Sequence, residues 1–91
     1  MAYHVYILTN RTHSVLYIGF SGKLTERLAQ HKAGEVKGFT QKYNVNKLIY
    51  AESYDDVNEA KAREKALKKW NRAWKEELIA KINPEWKEIH P

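Results

Sequence analysis

The sequence predicts a small α+β domain with elements in the order β-β-α-β-α-α. Three observations carry that expectation. Two short apolar runs are separated by a polar turn, a third run lies farther on, and apolar residues recur at helical spacing after the second and third. At 91 residues the chain has room for one domain and one core, because a chain this short buries only about 60–65% of its unfolded surface.

"YHVYIL", Tyr3 to Leu8, is the first strand, and "TNRTHS" after it reads as a turn. "VLYIGF", Val15 to Phe20, is the second strand, and the short connection favours an antiparallel hairpin. Both runs are apolar at alternate and intervening positions alike, so the sheet is expected to be covered on both faces. On a period of two, His4, Tyr6 and Leu8 share one face of the first strand while Val5 and Ile7 share the other. Tyr17 and Gly19 likewise share a face of the second, and the register decides whether Tyr6 meets Tyr17. A helix follows from about Lys23 to Ala33, with Gly34 as its left-handed stop. "EVKGFTQKYNVN" is a basic, irregular loop, and "KLIYAESY" is the third strand. Asp56, with Glu59 three residues later, resembles a capping box that opens a helix running to about Trp70. The helical pattern continues or restarts from Asn71 to Ile82, and Pro84 ends it. The expected organisation is one domain over 1–91, with a core of about 3–80 and a short C-terminal tail.

An apolar fraction of 43% and a charged fraction of 30% belong to a globular chain rather than a disordered one. The absence of cysteine excludes a disulfide framework and a thiolate metal site, and it suits a reducing compartment. The first apolar run is too short for a secretory segment, and no run approaches the roughly 18 apolar residues of a membrane span. A cytoplasmic location is therefore expected. Sixteen Lys and Arg against eleven Asp and Glu give a formal charge of +5. A surface of that sign suits a polyanion, of which nucleic acid is the commonest.

Polar side chains fall where the helical periodicity wants apolar ones. At about 100° per residue from Leu24, Leu28 lies near 40°, Arg27 near 300° and His31 near 340°. Arg27 and His31 are thus neighbours that flank the leucine stripe. From Val57, the residues Ala60, Leu67, Trp74 and Leu78 fall in one stripe between about 260° and 300°, and Glu64 lands near 340°, at its edge. A carboxylate taken out of water needs a cation or donors. Glu64 has two candidate partners, Arg27 in a buried ion pair or a divalent metal.

"HVYIL", a short turn, then "LYIGF", with an arginine eight residues past Gly19 and a histidine four further, resembles the GIY-YIG nuclease domain. The likeness is greatest to the small standalone bacterial members of the UPF0213 type. "KGFTQKYNVNKLIY" and "NEAKAREKALKKWNRAWK" are similar to their matching segments, so the resemblance spans Tyr3 to about Ile79. It implies a three-stranded antiparallel sheet flanked by helices. Residue by residue, His4-Val5-Tyr6 stands at the first triad, keeping the tyrosine but not the Gly-Ile, and Tyr17-Ile18-Gly19 is the second triad intact. Arg27 matches the catalytic arginine, His31 the position of a histidine or tyrosine, and Glu64 the metal-binding glutamate. Asn71 is a candidate for the asparagine that some members carry near the end of the domain.

The resemblance implies a metal-dependent endonuclease acting on DNA, including branched or damaged duplex, in repair or recombination. One Mg²⁺ or Mn²⁺ would be held by Glu64, and Arg27 would grip the phosphate as a fixed cationic fork. Tyr6 or Tyr17 would serve as general base, with Tyr6 preferred, and His31 would position or relay protons. A free tyrosine titrates near 10, so a neighbouring cation must favour the phenolate. Lys37, Lys42, Lys47, Lys68, Lys69 and Arg72 would contact the nucleic-acid backbone, or simply form a solvated face. Trp70 and Trp74 are expected in helix packing, with base stacking as the alternative. RNA stays open as a substrate. Two rival readings stand beside the nuclease: a nucleic-acid-binding module that does not cut, and an interaction domain built on a Glu64–Arg27 pair.

Overall fold

The computed structural model describes residues 2–91. Its elements are β1 (Tyr3–Thr9), β2 (Leu16–Ser21), α1 (Leu24–Lys32), α2 (Phe39–Lys42), β3 (Lys47–Tyr54), α3 (Val57–Lys69) and α4 (Arg72–Ala80). The strands form one antiparallel sheet in the order β2-β1-β3, so β1 is central and its neighbours are edges. The predicted α+β architecture holds. The difference is α2, a four-residue helix inside the segment read as irregular. It is too short to show a period, and no side chain caps its start.

Each face of the sheet carries its own apolar cluster. Tyr6 and Leu8 of β1 pack with Leu24 and Leu28 of α1, Val45 and Leu48. Val5 and Ile7 pack with Ile18 and with Ala60, Leu67 and Ile79 from α3 and α4. The strict alternation along β1 thus sends α1 and α3 to opposite faces. The ladder between β1 and β3 slips between Ile7 and Leu8. Ile49 and Tyr50 consequently share the cluster beneath α3, as the extra residue of a bulge allows.

Local chemistry sets the helix ends. Gly34, at φ 74°, follows the C-terminal turn of α1 and takes the left-handed conformation that favours glycine. Asp56 caps α3 by accepting the Asn58 N–H at 2.8 Å. Asn71 does the same for α4, accepting the Trp74 N–H at 2.9 Å. Residues 83–91 fold back over the molecule. Trp86 joins the cluster beneath α3, Ile89 joins the one beneath α1, and the Ile89 N–H donates to the Leu48 carbonyl at 2.8 Å.

Candidate functional site

The register opposes Tyr6 to Gly19 and Leu8 to Tyr17, so Tyr6 and Tyr17 are diagonal neighbours on the α1 face. On its other side Tyr6 is opposed to Ala51. Small residues on both flanks let the Tyr6 ring lie across the sheet toward β2. A Cβ on Gly19 would stand 2.4 Å from Tyr6 Cζ and 2.5 Å from its oxygen. Only glycine leaves room for that ring.

α1 presents Leu24, Leu28 and His31 to the sheet as one buried stripe. His31 therefore lies within the packed face rather than at its margin. Its Nε2 stands 3.5 Å from the Tyr6 hydroxyl, and its ring makes edge contacts with Tyr6 (6.2 Å between centroids) and Tyr17 (5.6 Å). Its Nδ1 is buried without a hydrogen-bond partner. Burial, and then the nearby Arg27 charge, hold the imidazole below its ordinary range, so it is neutral at pH 7. A neutral imidazole facing a phenol can accept its proton.

Arg27 is half-buried one turn before His31, and its guanidinium donates to Gln30 Oε1 at 3.2 Å. It lies near enough to Tyr6 to favour the phenolate, but burial outweighs it and the Tyr6 phenol is pushed up. The charges of Tyr17 and Glu64 push the same way. With only 1% of its surface exposed, Tyr6 reaches the proton-accepting phenolate form less readily than a free tyrosine does.

The expected alternative of a buried Glu64–Arg27 pair does not form among the described residues. α1 and α3 lie on opposite faces of the sheet, and the Glu64 carboxylate pairs instead with Lys68, one turn along α3, at 3.4 Å. The Glu64 side chain keeps 24% of its surface, and Lys68 is the more exposed partner. Such an i,i+4 pair is worth a few tenths of a kcal/mol. It leaves the carboxylate free to exchange its lysine for another cation. Among the described residues no three His, Cys, Asp or Glu side chains gather as a metal cage. A hard ion held by one carboxylate, with substrate phosphate and water completing its shell, fits that donor set.

An open groove of ≈ 330 Å³ runs beside Arg27, lined also by Ser21, Gly22, Lys23, Glu26 and Gln30. Lys23 escaped the sequence reading, although it precedes Arg27 by one helical turn on the same face. Lys37, Lys42, Lys68 and Lys69 are exposed, and Lys47 is half-buried with its Nζ 3.1 Å from His13 Nε2. Arg72 differs from them. Its guanidinium donates to the His13 and Ser14 carbonyls at 2.6 and 2.9 Å and to Glu76 at 2.7 Å, bracing the β1–β2 turn. The tryptophan expectation fails in part: Trp74 is 55% exposed. The chain turns extended at Trp70 and starts a new helix from the Asn71 cap, which resets the helical phase. Asn71 has its side chain committed to that cap.

Another polar cluster went unread. Glu52 of β3 accepts from Arg63 Nε and Nη2, both at 3.0 Å, from the Tyr54 hydroxyl at 2.7 Å and from the Tyr50 hydroxyl. Burial alone would raise Glu52, but the Arg63 fork and the two phenols outweigh it and hold the carboxyl below its usual range. Arg63 also lies over Trp70, 5.1 Å from the ring centroid. The cluster ties α3 to β3 next to Glu64 in the chain.

Comparison with known proteins identifies the family and the fold. Residues 2–77 match the GIY-YIG catalytic domain. The chain is 33% identical over 78 residues to a UPF0213 protein of Natronomonas pharaonis, covering 86% of this chain and 91% of that one. It is 35% identical over 83 residues to a UPF0213 protein of Syntrophus aciditrophicus, covering 90% and 93%. A UPF0213 protein of Streptococcus pneumoniae is 35% identical over 77 residues, with 85% and 77% covered. These relatives come from both archaea and bacteria. The fold is shared with the solution NMR structure of a UPF0213 protein from Bacillus halodurans, at a TM-score of 0.61 and 24% identity over 96% of this chain and 92% of that one. The chain belongs to the GIY-YIG catalytic-domain family, a nuclease family, alongside its UPF0213 relatives.

Proposed function

We propose that this protein is a metal-dependent endonuclease that hydrolyses phosphodiester bonds in DNA, acting in the cytoplasm on repair or recombination intermediates. The observation that carries it is the meeting of Tyr6 and Tyr17 on His31, with the Tyr6 ring seated over Gly19 and Arg27 and Glu64 both within electrostatic reach of its phenol.

Arg27, beside an open groove, holds the scissile phosphate through its fixed fork of donors, with Lys23 adding charge. The Tyr6 phenol lies within electrostatic reach of that same guanidinium, and in this reading the two phenols orient the attacking water. Tyr6 passes its proton to the neutral His31 Nε2 as it accepts one from that water, so no free phenolate has to form in a buried site. Tyr17, half-buried against the same imidazole, orients the dyad. Glu64 holds one Mg²⁺ or Mn²⁺, which supplies charge stabilisation at the phosphoryl and leaving oxygens when bound. Lys37, Lys42, Lys68 and Lys69 add sequence-independent backbone contacts.

A plasmid-nicking assay with Mg²⁺ or Mn²⁺ tests this directly. Glu64→Ala and Arg27→Ala should each abolish nicking and leave the fold intact, as circular dichroism would show. Nicking indifferent to both substitutions overturns the reading. So does the absence of cleavage across supercoiled, nicked, flapped and branched substrates that the protein nevertheless binds.

A further inference from the structure

The segment between α1 and β3 keeps two large aromatic rings in water. Phe39 is 46% and Tyr43 43% exposed, and their ring centroids are 5.0 Å apart with a tilt of 53°. Rings of this size stabilise a fold by being buried, so folding does not account for this exposure.

The mount beneath them is firm. Thr40 is buried between the two rings in sequence and donates to the Val36 carbonyl at 3.3 Å. Gln41 donates to the Gly34 carbonyl at 2.9 Å, and the Val45 N–H to the Thr40 carbonyl at 2.9 Å. Val45 itself is packed in the cluster that holds Tyr6, Leu24 and Leu28. α2 is thereby fixed on the α1 face, the face that carries Tyr6, Tyr17 and His31.

The rim is cationic. Lys42 Nζ lies 5.4 Å from the centre of the Tyr43 ring, and Lys37, two residues before Phe39, is exposed. From Glu35 to Lys47 there is one acid against three lysines. Apolar rings within a cationic rim match single-stranded nucleic acid, whose base faces stack on rings while its phosphates meet lysines. Intact duplex hides those faces in its own stack.

We propose that Phe39 and Tyr43 are a stacking platform for unpaired bases, and that the substrate class is therefore nucleic acid with a single-stranded or flapped segment. The nature of what is cut rests on the endonuclease reading, but the platform is a binding feature that stands apart from cleavage.

The test measures binding by fluorescence anisotropy in EDTA, on the Glu64→Ala background, with a single-stranded oligonucleotide and a blunt duplex of equal length. Phe39→Leu/Tyr43→Leu keeps apolar side chains and removes both rings. It should weaken single-strand binding roughly tenfold or more and change blunt-duplex binding by less than about twofold. A 2-aminopurine in the single strand should be quenched by the parent and not by the double variant. Tyr43→Phe should retain the parent affinity, and Trp74→Leu, an exposed ring on the helix bundle of the opposite face, should do so too. The platform is refuted by equal losses on both substrates, by unchanged single-strand affinity, by a Trp74→Leu loss as large as the double variant's, or by a parent that does not bind unpaired DNA. Nicking that ignores Glu64 would sink the endonuclease reading while leaving these binding results to stand.

Discussion

A methyl group on Gly19 would strike the centre of the site. On the native backbone its carbon lies 2.4 Å from Tyr6 Cζ, 2.5 Å from the phenol oxygen and 2.7 Å from Cε1. Ordinary contact begins at 3.4 Å, so the ring must retreat by about 1 Å. It has nowhere soft to go, since Tyr6 is 1% exposed, Ala51 borders it, and His31 packs on it. Overpacking of this kind costs about 1–3 kcal/mol, and in a domain of this size each kcal/mol lowers Tm by roughly 4–8 °C. A reacting group displaced by about 1 Å costs on the order of 10²-fold in rate. Urea unfolding and plasmid nicking of Gly19→Ala read the two effects separately. Tyr6→Leu supplies the control, because it removes the atoms that the methyl meets, whereas Tyr6→Phe would leave Cζ and Cε1 in place. The two substitutions should therefore couple by about 1 kcal/mol or more in a double-mutant cycle. A Gly19→Ala protein with wild-type stability and nicking, or strict additivity with Tyr6→Leu, would show that the ring does not depend on this gap.

Four further outcomes follow from the same geometry. Arg63→Met strips Glu52 of its fork while two phenols remain, and should lower unfolding free energy by about 2–3 kcal/mol, less than a fully buried pair would lose. Because Glu52 sits below its ordinary 4.5 in the folded state, its contribution is complete above that pH and fades as pH falls through the folded value. Glu52→Gln should then flatten stability against pH below about 4.5, and parallel acid profiles would contradict the clamp. His31 is likewise held below its ordinary 6.5, so its neutral form favours the fold above that pH and protonation opposes it below. Denaturant titrations of wild type and His31→Gln should diverge on acidification through that range, and nicking by the wild type should fall with it. Truncation after Pro84 removes Trp86, the Lys32–Glu88 pair at 2.6 Å and the Ile89–Leu48 bond. Burial of an isoleucine and a tryptophan together sets the expected loss at no less than about 2 kcal/mol, and an unchanged Tm would mean that the tail is ornamental.

The strands and long helices were legible because their signals are local. "KLIYAESY" coincides with β3 residue for residue, and Asp56 announces α3 by the cap that a short polar side chain provides, while Asn71 marks only where the helical pattern continues or restarts. What escaped was set by tertiary geometry. A four-residue α2 has no period to read, and the helical phase set from Val57 broke where the backbone turns extended at Trp70. In sequence, residues past about 80 read only as a short C-terminal tail. Only the fold shows that Asn83 donates to the Ile49 carbonyl at the bulge and that Ile89 pairs with β3.

The site shows the same division more sharply. Tyr6, Tyr17, Arg27 and His31 were nominated by spacing and resemblance, and the structure adds the sign of their coupling. Glu64 was expected to need Arg27 or a divalent metal as its partner, and it sits one helical turn from Lys68 with a quarter of its surface wet. Such a carboxylate has little to lose on exchanging that lysine for a divalent ion. Tyr6 moves the other way. Its burial makes an independent phenolate costly, and in the proposed relay the neutral His31 at 3.5 Å spares the site from forming one. The acid end of the site is therefore built to be open and the phenol end to be closed. Only Gly19, by lacking a side chain, lets the closed end lie against the strand that borders the groove.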